Sequence, residues 1–147
     1  MAAGCRQRLS LPSTFRLLDV SDMTINIYAA WIGFLLGCAA GAVTGLFFHD
    51  KDWLGGYGSW QRRMVRLGHI SFFGIGLLNM AAGLTARALG VEAGLGAASA
   101  LFLLGAVAMP LVCYLSAWRV TFRHLFFIPA VSVTCGVALF AWRLVSP

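Results

Sequence analysis

Four apolar runs constrain this chain more than any other feature. They cover about residues 27–48, 67–89, 95–117 and 125–144, and each is nearly free of charge. A helix of about 20 apolar residues is long enough to cross the hydrocarbon core of a bilayer. In lipid every backbone N–H and C=O must find its partner inside the protein, and a helix achieves this segment by segment. Only 11% of the residues are charged while 60% are hydrophobic. A water-facing domain carries roughly 25% charged residues, so this chain has too few charges to cover a water-facing surface. The expected fold class is therefore all-α and integral to a membrane, with four transmembrane helices in an up-down bundle. The expected organisation is an exposed amino-terminal tail, residues 1–25, followed by one four-span domain, residues 26–147.

The sharpest boundary is Arg62 to Met80, RRMVRLGHISFFGIGLLNM, where Arg62, Arg63 and Arg66 lead straight into an apolar run. That order fits a helix passing from a phosphate-rich surface into hydrocarbon. Cations at a helix amino terminus oppose its macrodipole. Lipid phosphates or a partner's acids are expected to compensate them. The preceding segment, HDKDWLGGYGSWQ, holds three glycines together with Trp53, Tyr57 and Trp60. It reads as a turn-rich loop in the headgroup layer. The net charge of +6 is accordingly read as membrane-surface charge, and nucleic acid is not an expected partner.

Span one repeats glycine every fourth residue, at Gly33, Gly37, Gly41 and Gly45. The repeat makes a slowly drifting stripe that lets another helix approach closely. It predicts helix packing, either within the chain or against another subunit or copy. In span two, His69, Phe73, Gly76, Met80 and Gly83 share a face, and Asn79 near its middle needs an interhelical partner. Span three contains Pro110, which predicts a kink. Span four opens with Pro129, carries the small residues Ala130, Thr134 and Ala138, and ends with Trp142 and Arg143. The short link between spans three and four predicts antiparallel neighbours.

Four spans put both termini on one side. The opposite side then carries Lys51, Arg62, Arg63, Arg66, Arg119 and Arg123, against Arg6, Arg8, Arg16, Arg87 and Arg143. If Met23 is the natural start, the second group shrinks to Arg87 and Arg143. The loops at 49–66 and 118–124 are then expected in the cytoplasm by the positive-inside rule. The expected location is a bacterial inner (plasma) membrane. The tail has no apolar core of signal-peptide length.

The chemistry available to such a chain is sparse. No nucleophile elbow, phosphate loop, zincin helix or intramembrane carboxylate pair is present. Cys5, Cys38, Cys113 and Cys135 have no CxxC spacing, and three of them lie in apolar runs as small hydrophobes. One constellation remains: His49, His69 and His124 fall on the same side. Imidazole ligates haem iron, copper and zinc. His69 and His124 are candidates to hold a haem b, with Arg66 and Arg123 on its propionates; all three histidines are candidates for a copper or zinc set. The four-span layout is similar to that of membrane cytochromes b, but the paired histidines those proteins carry on both membrane sides are absent here. The leading expectation is a small accessory or structural subunit of a larger membrane complex, of the electron-transfer kind, without catalysis of its own. Its rival is a haem- or copper-binding membrane redox protein using the histidines.

Overall fold

A computed structural model describes residues 23–91 and 93–146. The expected tail through residue 22, with Cys5 and the charges before Met23, lies outside the described residues, as does Glu92. The chain is all-helical there. Helix α1 (Thr24–Leu46), α2 (Trp60–Ala88), α3 (Gly96–Trp118) and α4 (Phe127–Val145) are joined by short segments. One 3-10 turn, Trp53–Gly55, precedes α2, and another, Val120–Phe126, leads into α4. Helices α1, α2 and α3, and the continuous stretch Val120–Val145 formed by the second 3-10 turn and α4, are each long and apolar enough to cross a membrane.

Helix α2 starts seven residues before the expected span. Ser59 explains the start: its hydroxyl accepts from the Arg62 N–H at 3.2 Å and donates to the Leu54 carbonyl at 2.6 Å. This caps a helix that has no acid in its first turn. The loop before it turns through positive φ at Leu54 (55°), Gly55 (80°) and Gly56 (87°). Two of these three are glycine, which adopts that region without steric cost.

Consecutive helices pack on one another, and side chains tie them at both ends. Trp60 at the start of α2 donates to Ser116 O at the end of α3. Asn26 at the start of α1 bonds to Asn79 late in α2 and to Ser99 early in α3. Arg143 at the end of α4 donates to Ala93 O, just before α3. The main packing pairs are α1 with α2, α2 with α3 and α3 with α4; α1 touches α3 more lightly. The order is therefore an open row with α1 and α4 at its edges. Burial follows that order: 17% of the apolar stretch is buried in α1 and in α4, against 33% in α2 and 44% in α3.

The interior is built from small and polar residues, and the bulky apolar ones point out. Buried positions include Ala30, Gly37, Gly68, Ser71, Gly76, Ala82, Gly83, Ala98 and Gly105. Leu35, Leu46, Val107, Trp31 and Tyr28 are all more than 60% exposed. This distribution suits a hydrocarbon solvent, where tails solvate leucine well and association relies on close packing. Near the terminal end, Met23, Ala82, Ala86, Leu95, Ala98 and Phe102 cluster, with Phe140 against them. That cluster draws all four helices together.

Glycines on each seam receive side chains from the facing helix. A Cβ on Gly37 would lie 2.7 Å from the Phe73 ring, on Gly41 2.6 Å from His69, and on Gly76 2.7 Å from Phe34. Gly33 faces the Phe72 carbonyl at 3.4 Å, while Gly45 has open space around it. Three of the four stripe glycines are thus consumed inside the chain, against the α2 face foreseen from His69, Phe73 and Gly76. Between α3 and α4, Gly136 meets Phe102, and Gly105 meets Val133. The small residues Ala130, Thr134 and Ala138 are exposed, because α4 turns Pro129, Ser132 and Gly136 inward instead.

Candidate functional site

Two polar constructions stand out against the apolar background, one at each end of the row. At the loop end, Arg62 is 3% exposed. Its guanidinium lies 5.2 Å from the Phe48 ring and 5.6 Å from those of Trp53 and Tyr57. Its nitrogens approach the carbonyls of Asp50, Phe48 and Lys51 at 3.4–3.5 Å. Ring faces carry negative partial charge and attract a cation, more strongly where water is excluded. Trp53 in turn stacks on Phe47 at 5.4 Å. Arg66 covers Tyr57 from 4.4 Å and donates to its carbonyl at 3.2 Å. The 48–57 loop thus wraps two arginines of α2. Compensation by lipid phosphate or a partner's acids was the expectation for Arg62. The structure supplies π faces and carbonyls of the chain itself instead, since the loop folds back over the helix start.

At the terminal end, Asn26, Asn79 and Ser99 form a closed network. Asn26 Nδ2 donates to Asn79 Oδ1 at 2.7 Å and to Ser99 O at 3.3 Å, and Asn26 Oδ1 accepts from Ser99 Oγ. Asn79 Nδ2 donates to Ile75 O at 2.9 Å and to Phe102 O at 3.4 Å. Both asparagines are 0% exposed. Every donor hydrogen of the two amides has an acceptor, which is the condition for burying them at low cost. The interhelical partner expected for Asn79 is present. Its identity was hidden because Asn26 lay just outside the expected first span, and Ser99 read as one small residue among many.

The histidines do not assemble. Among the described residues no group of three or more His, Cys, Asp or Glu is placed to hold a metal ion. The copper or zinc set of His49, His69 and His124 is thus not drawn together in this structure. His49 is exposed and its Nδ1 pairs with the Leu46 carbonyl at 3.0 Å. His69 is turned toward α1, packed on Gly41 and edge-on to Phe73 at 5.4 Å, with its Nδ1 buried and without a hydrogen-bond partner. His124 stands exposed on the 3-10 segment that packs on α3. The sequence placed these residues near the ends of their helices and left their direction around each helix open. Of the arginines expected on haem propionates, Arg66 lies over Tyr57 and Arg123 is exposed beside His124.

No protein-family model matches the sequence, and neither a characterised protein nor a solved structure is significantly similar to it.

Proposed function

We propose that this chain is a four-span integral membrane protein that serves as an accessory or structural subunit of a larger membrane assembly. The observation that carries the reading is the outer face of α4. Ala130, Thr134 and Ala138 line up at i, i+4 and i+8, and all three are exposed. In lipid a small-residue row lets a second helix approach closely, and this row is not used by α3. The glycines of α1, by contrast, are largely spent within the chain. Among the described residues the loop end carries Lys51, Arg62, Arg63, Arg66, Arg119 and Arg123, and the terminal end Arg87 and Arg143. That asymmetry supports a cytoplasmic loop end in a plasma membrane.

Thr134→Leu tests the reading. The variant is expected to keep the thermal stability of the parent within about 0.5 kcal/mol, because its side chain touches no internal seam. It is expected to lose stoichiometric association with the assembly in mild detergent, seen by native mass spectrometry from membranes of the source cell. A parent chain that leaves those membranes without any stoichiometric companion overturns the accessory role. Electron-transfer machinery is the assembly type proposed first.

A redox reading keeps one observation, the buried, unpartnered Nδ1 of His69. An absorption spectrum and elemental analysis decide it. Haem or copper at one per chain, lost in His69→Ala, would displace the accessory reading. A colourless, metal-free native protein would leave His69 as a packing residue against Gly41.

A further inference from the structure

An apolar groove runs along the face of α2 that α1 and α3 leave open. Its wider part, about 440 Å³, is bounded by Leu36, Ala39, Val43, Trp53, Val65 and Tyr114. It continues into a narrower part of about 190 Å³ between Ile32 on α1 and Val107 on α3, and Leu36 and Phe72 line both. From Ala29 to Val43 the α1 wall rises about 21 Å at 1.5 Å per residue. A single leaflet of hydrocarbon is about 15 Å deep. The groove therefore runs the depth of one leaflet and past the midplane. Its walls offer almost nothing polar: the Thr44 hydroxyl is already bonded to Ala40 O, and Tyr114 is the other hydroxyl.

The wide end of the groove opens at the loop end, where Trp53 forms part of its rim. Lys51, two residues before Trp53, is exposed. Across the groove, one helical turn beyond Tyr114, Trp118 is 70% exposed, and the Arg119 guanidinium lies 4.9 Å from its ring. Arg63 and Arg123 are exposed at the same end. Arg62 is buried beneath its loop, but these cations are exposed, and they outnumber Asp50 and Asp52. An apolar slot with Trp53 on its rim, Trp118 one turn beyond Tyr114 and exposed cations at the same end is complementary to one class of molecule, a lipid with a negatively charged headgroup.

We propose that the groove binds an anionic phospholipid of the loop-side leaflet. One acyl chain lies between α1 and α3 against Phe72, and the phosphate is held by Lys51 and Arg119 beside Trp53 and Trp118. The inference rests on the membrane-spanning reading. A second transmembrane helix or a second copy would bring its own side chains to a slot whose wide end is cationic; a lipid supplies both the narrow chain and the negative charge. Basic residues near an anionic headgroup favour it by roughly fivefold in affinity each.

The full chain in mild detergent is titrated with phosphatidylglycerol or phosphatidylcholine, and retained lipid is counted by native mass spectrometry alongside the melting temperature. Phosphatidylglycerol is expected to be retained at one per chain and to raise the melting temperature, with phosphatidylcholine at least tenfold weaker. Lys51→Gln with Arg119→Gln should bring the two lipids within threefold of each other. Ala39→Trp, which fills the groove from an exposed position, should abolish retention while the lipid-free melting temperature holds; Val107→Trp provides the same block from α3 if Ala39→Trp fails to fold. Equal retention of both lipids by the parent, or undiminished retention in the groove-filled variants, overturns the proposal. So does a dimer cross-linked through Ala39→Cys, which would show a second copy in the groove. A chain that stays soluble without detergent fails before any lipid is added, and so indicts the membrane reading instead.

Discussion

Gly83→Leu is expected to unfold the α1–α2 seam, with a loss of about 3 kcal/mol or more in detergent stability, at the upper end of what overpacking costs. A Cβ there would lie 2.6 Å from Ile27 Cγ1 and 2.9 Å from the carbonyl oxygen of Met23. A flexible side chain can swing away from an intruder; a backbone carbonyl at the start of a helix moves only if the helix moves. Displacing the start of α1 also pulls Asn26 away from Asn79 and Ser99, so the packing loss and the polar loss arrive together. Gly45→Leu is the matched control, since nothing lies within 4 Å of its Cβ position. It should change stability by no more than about 0.5 kcal/mol. Thermal denaturation of the two purified variants, followed by circular dichroism, makes the comparison. Equal damage from both would mean that the α1 stripe is used against another chain.

The second large effect is expected at Asn79. In Asn79→Leu, one amide hydrogen of Asn26 is left without an acceptor in a site closed to solvent. Such an orphaned group costs about 1–3 kcal/mol. Interhelical hydrogen bonds measured in a membrane protein reach only about 1.7 kcal/mol, because the unfolded state in lipid also finds partners. A loss of about 1.5 kcal/mol is therefore expected. Asn26→Leu should cost a similar amount, since it strands Asn79 Oδ1 and the Ser99 hydroxyl. The double variant is expected to cost less than the sum by about 1 kcal/mol, the signature of a shared interaction. Additive losses in a double-mutant cycle would show that the two amides stabilise the row independently.

The four long helices were legible because each is written as one long apolar run in the sequence. Their ends were less so. Helix α2 begins at Trp60, inside the stretch read as loop, because the loop shields Arg62 with Phe48, Trp53 and Tyr57 and so lets a charged turn join the helix. The shared face of His69, Phe73, Gly76 and Gly83 was readable from the helical period, and it is the face that meets α1. Whether a glycine stripe serves its own chain or another was not readable, since both uses ask for the same chemistry; Phe72, Phe73 and His69 decide it here. The row of Ala130, Thr134 and Ala138 resembled that stripe in sequence yet faces the opposite way. Direction around a helix depends on what the neighbour fills, and in α4 the contact goes to Ser132 and Gly136. The same holds for His49, His69 and His124: their order along the chain was readable, but which way each faces around its helix was not, and they are not drawn together.

The triad of Asn26, Asn79 and Ser99 also orders events in time. Its members sit in the first, second and third helices, so none is satisfied when the first helix alone has left the ribosome. In α1 alone the Asn26 amide has no partner from this network, and the pair α1–α2 still lacks the Ser99 hydroxyl and carbonyl and the Phe102 carbonyl. The network closes only when the third helix arrives. The first two helices are therefore not a self-sufficient unit: cut after α2, the Asn26 and Asn79 amides would each keep one hydrogen without its acceptor, and only α3 supplies both.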